Sequence, residues 1–247
     1  MELIFGIGAL WGTRNDVANV GPDQFGVLND NSIDFSFELK ELYSQYQFPI
    51  DIARGKGKIA GKAKMARIFG SLYADLFFGL STTPGEDNVA ENELHTVATT
   101  TVTVSNATSF VSDLGVYYNA SGNVRFTTVT GTPTAIGQYS TGTNGVYTFF
   151  SSDISKSVAI SYAYTDSSGK TITITNQFMG YTPTFASTFY NEKNTQGTTG
   201  QITLLLNYCV ASKLTFPTKI DDYGIPDFDY MAFANAIGNI GSISVTE

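Results

Sequence analysis

Between positions 33 and 40 apolar and polar residues alternate without a break. Ile33, Phe35, Phe37 and Leu39 fall on one side, and Asp34, Ser36, Glu38 and Lys40 on the other. A period of two marks a β-strand with one buried face, so this stretch predicts a half-buried strand. The same period returns at 99–104, 124–129, 158–165, 171–175 and 202–206. Asn-Ala-Ser-Gly at 119–122 and Asp-Ser-Ser-Gly at 166–169 supply turn chemistry between such runs. One segment follows a different rule: Met65, Ile68, Phe69, Leu72 and Leu76 recur at helical spacing, with Gly79 placed to end the helix and Gly70 weakening it. The pattern predicts a mainly β protein of antiparallel sheet with one flanking α-helix over about 62–78.

Just before that helix lies GKGKIAGKAKMA, residues 55–66, dense enough in glycine and lysine to raise a phosphate-binding loop. Such a loop needs G-x-x-x-x-G-K followed by Ser or Thr, so that backbone amides wrap the phosphates and a hydroxyl holds magnesium. Here Gly61-Lys62 has Lys56 where the first glycine belongs and Ala63 where the hydroxyl belongs, and the match fails twice. Parity is more informative. Arg54, Lys56, Lys58, Lys62 and Lys64 all occupy even positions, so an extended chain puts them on one face. Six of the fourteen basic residues lie from Arg54 to Arg67. They make either a solvated strand face or a docking surface for something acidic.

An acidic counterpart is present in KIDDYGIPDFDY, residues 219–230, which carries Asp221, Asp222, Asp227 and Asp229. It lacks the ordered ligand pattern and glycine placement of a calcium loop. A basic and an acidic patch on one chain suggest head-to-tail self-association, a heterologous contact that propagates into rings or filaments. The candidate contacts between copies are therefore Arg54, Lys56, Lys58, Lys62, Lys64 and Arg67 with Asp221, Asp222, Asp227 and Asp229.

At 247 residues the chain is long enough for one large all-β domain or two small ones with a core that needs no disulfide or metal. Its net charge of -8 argues against a free-standing DNA binder, because affinity for phosphate backbones needs positive charge. Cys209, the one cysteine, lies in the apolar run LLLNYCV and reads as a buried core thiol. His95 is the one histidine, which excludes a two-histidine zinc site. Its surroundings, ENELH, read as an exposed loop, and a Ser-His-Asp triad through His95 has no nucleophile-elbow motif to support it. Asn106-Ala107-Thr108 and Asn119-Ala120-Ser121 match the glycosylation sequon but read as chance matches. The start, MELIFGIGALWG, has Glu2 and no basic residue before its apolar run, unlike a secretory signal. No run reaches the roughly 18 apolar residues of a membrane span. The expectation is a soluble protein made in a cytoplasm, with no catalytic residues, cofactor or metal.

Several phrases of the chain resemble the tail tube, or major tail, proteins of tailed bacteriophages. They include FGIGALWGTR, GPDQFGVLNDNSIDFSFELKELY, QFPIDIARGKGKIAGKAKMARIFGSLYADLFFG, GVYTF, ISYAYTDSSGKTITITNQFMGYTPTF and LTFPTKIDDYGIPDFDYMAFANAIGNIGSISV. The resemblance runs over essentially the whole chain and identifies a structural lineage with no catalytic signature. It implies a single tail tube domain over 1–247, an antiparallel β-sandwich or barrel flanked by the helix, with a Thr/Ser/Gly-rich outer portion within about 99–176. It implies hexameric rings whose inner sheets join into a barrel and which stack into a hollow conduit for genome delivery. The implied partners are other copies of the chain, a tape-measure protein in the lumen, a tail-tip or baseplate initiator, a tail terminator, and a sheath protein if the tail contracts. Double-stranded DNA would pass without specific binding and no membrane would be entered. The implied location is the virion tail.

Two features of the residues accord with that implication. Thr-rich, weakly charged runs at 99–104 and 171–175 suit edges that pair between copies. An acidic lumen would repel phosphate over a Debye length of about 8 Å. The basic patch at 54–67 would then lie between copies or face the lumen toward the tape-measure protein. The alternative is a monomeric β-sandwich binding module for carbohydrate or a cell-surface ligand. Its support is the aromatic content, 18 Phe, 14 Tyr and one Trp, although Phe35 and Phe37 alternate as core residues do.

Overall fold

A computed structural model describes residues 6–18, 20–67, 69–119, 124–195 and 198–246. Strands account for 55% of it and helical turns for 7%, so the protein is mainly β, with antiparallel sheets and one short helix. The strands in chain order are β1 (Ala9–Arg14), β2 (Asp23–Gln24), β3 (Leu28–Leu42), β4 (Asp51–Met65), β5 (Thr83–Thr96), β6 (Thr101–Thr103) and β7 (Phe110–Tyr118). Then come β8 (Val124–Arg125), β9 (Thr127–Thr128), β10 (Gln138–Thr141), β11 (Val146–Phe149) and β12 (Ser157–Thr171). β13 (Phe185–Thr195), β14 (Thr198–Thr215), β15 (Asp227–Ala232) and β16 (Gly241–Val245) complete the chain.

Two compact units divide the chain at 82/83 and 171/172. The second unit runs from Thr83 to Thr171 and overlaps the outer portion within about 99–176 that the resemblance implies. These two residues are themselves paired across β5 and β12, so the chain enters and leaves that unit at neighbouring points.

The first unit holds a sheet ordered β2-β1-β13-β14-β15-β4-β3, with β16 paired to the earlier half of β14. Its core gathers Leu10, Phe25, Met65, Phe185, Leu206 and Phe228 with Leu72 and Leu76. Phe228 is the hub: its ring meets Phe25 at 5.1 Å and Phe185 at 6.1 Å, both edge to face. The helix expected over about 62–78 begins only at Gly70, as one turn of α-helix (Gly70–Leu72) passing into a π-helical stretch (Tyr73–Phe78). Residues 62–65 belong to β4, because Ala63 and Met65 alternate into the core as strand residues do. Ile68 lies outside the described residues. Gly79 ends the segment at φ 64°, its amide bonded to Ala74 O, the left-handed position that a side chain resists.

The second unit holds two four-stranded sheets, β6-β11-β10-β9 and β5-β12-β7-β8, antiparallel except where β9 runs parallel to β10. Val102, Tyr139, Tyr147 and Phe149 from the first share a core with Val116, Val158, Ile160 and Tyr162 from the second. Several local expectations change here. Of 99–104 only Thr101–Thr103 is strand, although it does form a sheet edge. The stretch 124–129 splits into two short strands in different sheets. Residues 166–169 are an irregularity inside β12 and not a turn, β12 stops at Thr171, and 172–175 are not strand. The acidic 91–95 stretch lies within β5 and is no loop. The turn expected at 119–122 lies outside the described residues from 120 onward, as does Glu2.

Candidate functional site

β4 pairs with β15 only from Ile59 to Lys64; from Asp51 to Lys58 it pairs with β3 alone. The outer part of the β3–β4 hairpin therefore leaves the sheet as a two-stranded arm. Alternation is kept along β3, but its apolar face is uncovered from the base of the arm outward: Phe35, opposite Ile59, is 48% exposed, Phe37 52% and Leu39 62%. This corrects the half-buried strand expected at 33–40 and removes Phe35 and Phe37 from the core. Exposed Tyr43, Tyr46, Phe48 and Ile50 continue the apolar surface around the tip. Isolated exposed apolar residues are ordinary, whereas a contiguous stripe marks an interaction surface.

The glycines of the 55–66 stretch have a packing role. Gly57 lies beneath the Phe37 ring and Gly61 beneath the Tyr230 ring, where a Cβ would come within 2.9 Å and 2.1 Å respectively. Rings from neighbouring strands fill what these glycines leave open. The basic residues obey parity only in part. Lys58, Lys62 and Lys64 oppose Ser36, Ser32 and Asp30 on one face. Between Gly57 and Arg54 the register slips, with Gly55 and Lys56 both opposite Glu38, so Arg54 crosses to the apolar face. Its guanidinium stands 4.7 Å over the Phe37 ring.

One ion pair of the charge pairing expected between copies is made inside one chain. β15 lies beside β4, and Lys62 Nζ reaches Asp227 Oδ2 at 3.2 Å, with Asp229 opposite Lys62 in the register. The hydrogen bond to Asp227 holds the Lys62 ammonium above its ordinary range. Lys64 pairs with Asp30 at 3.1 Å, Asp222 with Lys219 at 2.8 Å, and the Arg67 guanidinium stands 5.5 Å over Phe69. Lys56, Lys58 and Asp221 form no ion pair among the described residues and are the charges left for a partner. Lys62→Glu faces two aspartates and should lower the melting temperature by a few degrees, while Lys56→Glu with Lys58→Glu leaves it unchanged; calorimetry of both variants checks this. Equal effects of the two substitutions would contradict the assignment.

In the second unit His95 Nε2 lies 2.6 Å from Glu93 Oε1, and Ser105 Oγ donates to the same oxygen at 2.8 Å. Serine and histidine thus meet on a carboxylate and not on each other, unlike a nucleophile and its base. Tyr162 OH donates to Glu93 Oε2 at 2.6 Å, and the Asn106 amide nitrogen, the sequon atom, donates to Tyr162 OH. The cluster ties β5 and β12 to the 105–106 turn. Burial opposes ionisation of Glu93, yet hydrogen bonds from Tyr162, Ser105 and His95 outweigh it and pull its pKa down to about 2. A carboxylate so depressed stabilises the fold fully above its unfolded value near 4.5, and that stability is lost as pH falls toward 2. Acid titration followed by tyrosine fluorescence should show the second unit loosening between these values, and Glu93→Gln should flatten that dependence. A profile unchanged by Glu93→Gln would contradict the assignment.

Cys209 is fully buried and its thiol is pushed up to about 12 by burial, which leaves it unreactive. Asp227 and Asp229 stand on β15 facing lysine, while Asp221 and Asp222 lie in the exposed loop before it. Among the described residues no group of three or more His, Cys, Asp or Glu is placed to hold a metal ion, and no helix is long and apolar enough to cross a membrane. The surface that sequence reasoning missed is the aromatic tip of the arm; its signal was the run of Tyr43, Tyr46 and Phe48 between two alternating strands.

The fold and the uncovered arm define a mainly β protein with an exposed apolar strand face. No protein-family model matches the chain, and no curated protein matches it.

Proposed function

We propose that the chain is the repeating subunit of a bacteriophage tail tube, a structural protein of the virion that works by assembly and without catalysis. Hexameric rings stack head to tail into a hollow conduit through which the genome passes. In this reading the first unit is the β-sandwich or barrel of the tube wall, and the second is carried as an insert. A tape-measure protein, an initiator at the tail tip or baseplate, a terminator, and a sheath in a contractile tail are its further partners.

The observation that carries the reading is the apolar face of the β3–β4 arm, wet over Phe35, Phe37 and Leu39. A protein that works as a monomer gains nothing from that exposure and risks aggregation, whereas a subunit of a closed assembly covers it on a neighbour. β3 also stands at the end of its sheet, with one edge of its ladder open over fifteen residues. The rival reading as a monomeric binding module leaves both features without a purpose. Sedimentation velocity across a concentration series tests the proposal: a species near 160 kDa, six times the 26.6 kDa chain, is expected to grow with concentration. A closed dimer with no larger species would count against it.

A further inference from the structure

We propose that the second unit carries a binding site for a neutral saccharide ring, on the face of the β5-β12-β7 sheet turned away from that unit's core. The site lies wholly within the second unit and does not rest on the tail-tube reading.

Three strands are distorted at one level there. Opposite Ser161 of β12, strand β5 inserts both Glu91 and Asn92, while β7 inserts Leu114 between Asp113 and Gly115. Asn92 takes φ 54°, a left-handed conformation for a residue with a side chain, and its backbone N–H donates to Ser161 Oγ at 3.0 Å. Two bulges facing each other across one central residue are a built feature. Bulges re-aim side chains and recur beside sites, and left-handed residues outside glycine persist only where their surroundings hold them.

The result is a hollow of about 760 Å³, within the range of small-molecule sites and too small for a protein face. Leu94, Leu114 and Tyr117 give it an apolar floor, and Glu91, Asn92 and Ser161 give it a polar rim. Leu94 is 63% and Leu114 48% exposed, so neither is serving the core. A pyranose has this same division, with an apolar C–H face that stacks on aliphatic and aromatic surface and a rim of hydroxyls that both donate and accept. Glu91 accepts from such hydroxyls, the Asn92 side-chain carboxamide accepts through its oxygen and donates through its nitrogen, and Ser161, already accepting from the Asn92 backbone, has its own proton to give. The Glu91 carboxylate, on a chain of net charge -8, selects neutral sugars against acidic ones.

Saturation-transfer NMR on the full chain, with cellotriose, maltotriose and the N-acetylglucosamine trimer as probes, tests the site in monomer and assembly alike. At least one trimer at about 2 mM should receive saturation on its ring C–H protons, with dissociation in the millimolar range usual for single-ring contacts. Tyr117→Ala should weaken binding about tenfold. Asn92→Gly, which keeps the left-handed backbone and its N–H while removing the side-chain carboxamide, should weaken it by a factor of about three to ten and guards against a fold lost in the tyrosine variant. No transfer to any of the three trimers would overturn the proposal, as would transfer that neither variant reduces.

Discussion

Serine at positions 35, 37 and 39 should abolish self-association while leaving the monomer folded. Phe35, Phe37 and Leu39 are each about half exposed in the single chain, so the fold draws on only part of each. Fully burying such a side chain is worth about 1.5–3 kcal/mol, and covering the exposed half of each on a neighbour yields about 1 kcal/mol per residue. Three residues together supply about 3 kcal/mol per contact, more than a hundredfold in the association constant. Ring closure multiplies the effect, since each subunit makes the contact twice. Sedimentation velocity reads the association, and the melting temperature reads the fold. Unfolding of the triple variant would show that the stripe belongs to the chain's own core, and normal association would show that the arm faces solvent in the assembly.

The second large effect is expected at Gly61. Its position under the Tyr230 ring leaves 2.1 Å for a Cβ, and Tyr230 is fully buried with its hydroxyl 3.3 Å from Ser187 Oγ. Gly61→Val drives the ring away from that partner and into the packing around Phe185 and Phe228, whose rings stand 5.7 Å and 6.3 Å from it. Overpacking of this kind costs about 1–3 kcal/mol, with the upper end expected because a buried hydroxyl loses its partner as well. Urea denaturation should show the loss in the first unit. Gly61→Val combined with Tyr230→Ala should be more stable than the sum of the two single losses, because the truncated ring makes room for the valine. Additive losses would mean that the ring and the glycine do not share that space.

β3, β6, β8, β9, β12 and β14 were legible in whole or in part because alternation survives where one face is apolar, while the other ten described strands gave no such run. Alternation does not say what covers that face. At Phe35 and Phe37 a cover on a neighbouring copy and a cover in the same chain leave the same pattern, so these residues read as core and stand exposed. The helix was misplaced at its start because Ala63 and Met65 satisfy a period of two while Met65, Leu72 and Leu76 satisfy a helical one; register with Phe228 and Leu28 decided for the strand. Charged residues misled in a different way. Glu93 read as a loop residue, yet its hydrogen-bond partners Tyr162 and Ser105 lie 69 and 12 residues away and give no local signal. Likewise the basic and acidic patches were visible as patches, but 165 positions separate Lys62 from Asp227, and only the pairing of β4 with β15 shows these two forming an ion pair within one chain.

Assembly through the arm is the claim on which the account rests, and electron microscopy of the purified chain at stepwise rising concentration tests it most directly. Hollow six-fold rings that stack end to end, and that vanish in the 35/37/39 serine variant, are the predicted result. Single particles of 26.6 kDa at every concentration, with arm amides exchanging at solvent rates, would contradict it.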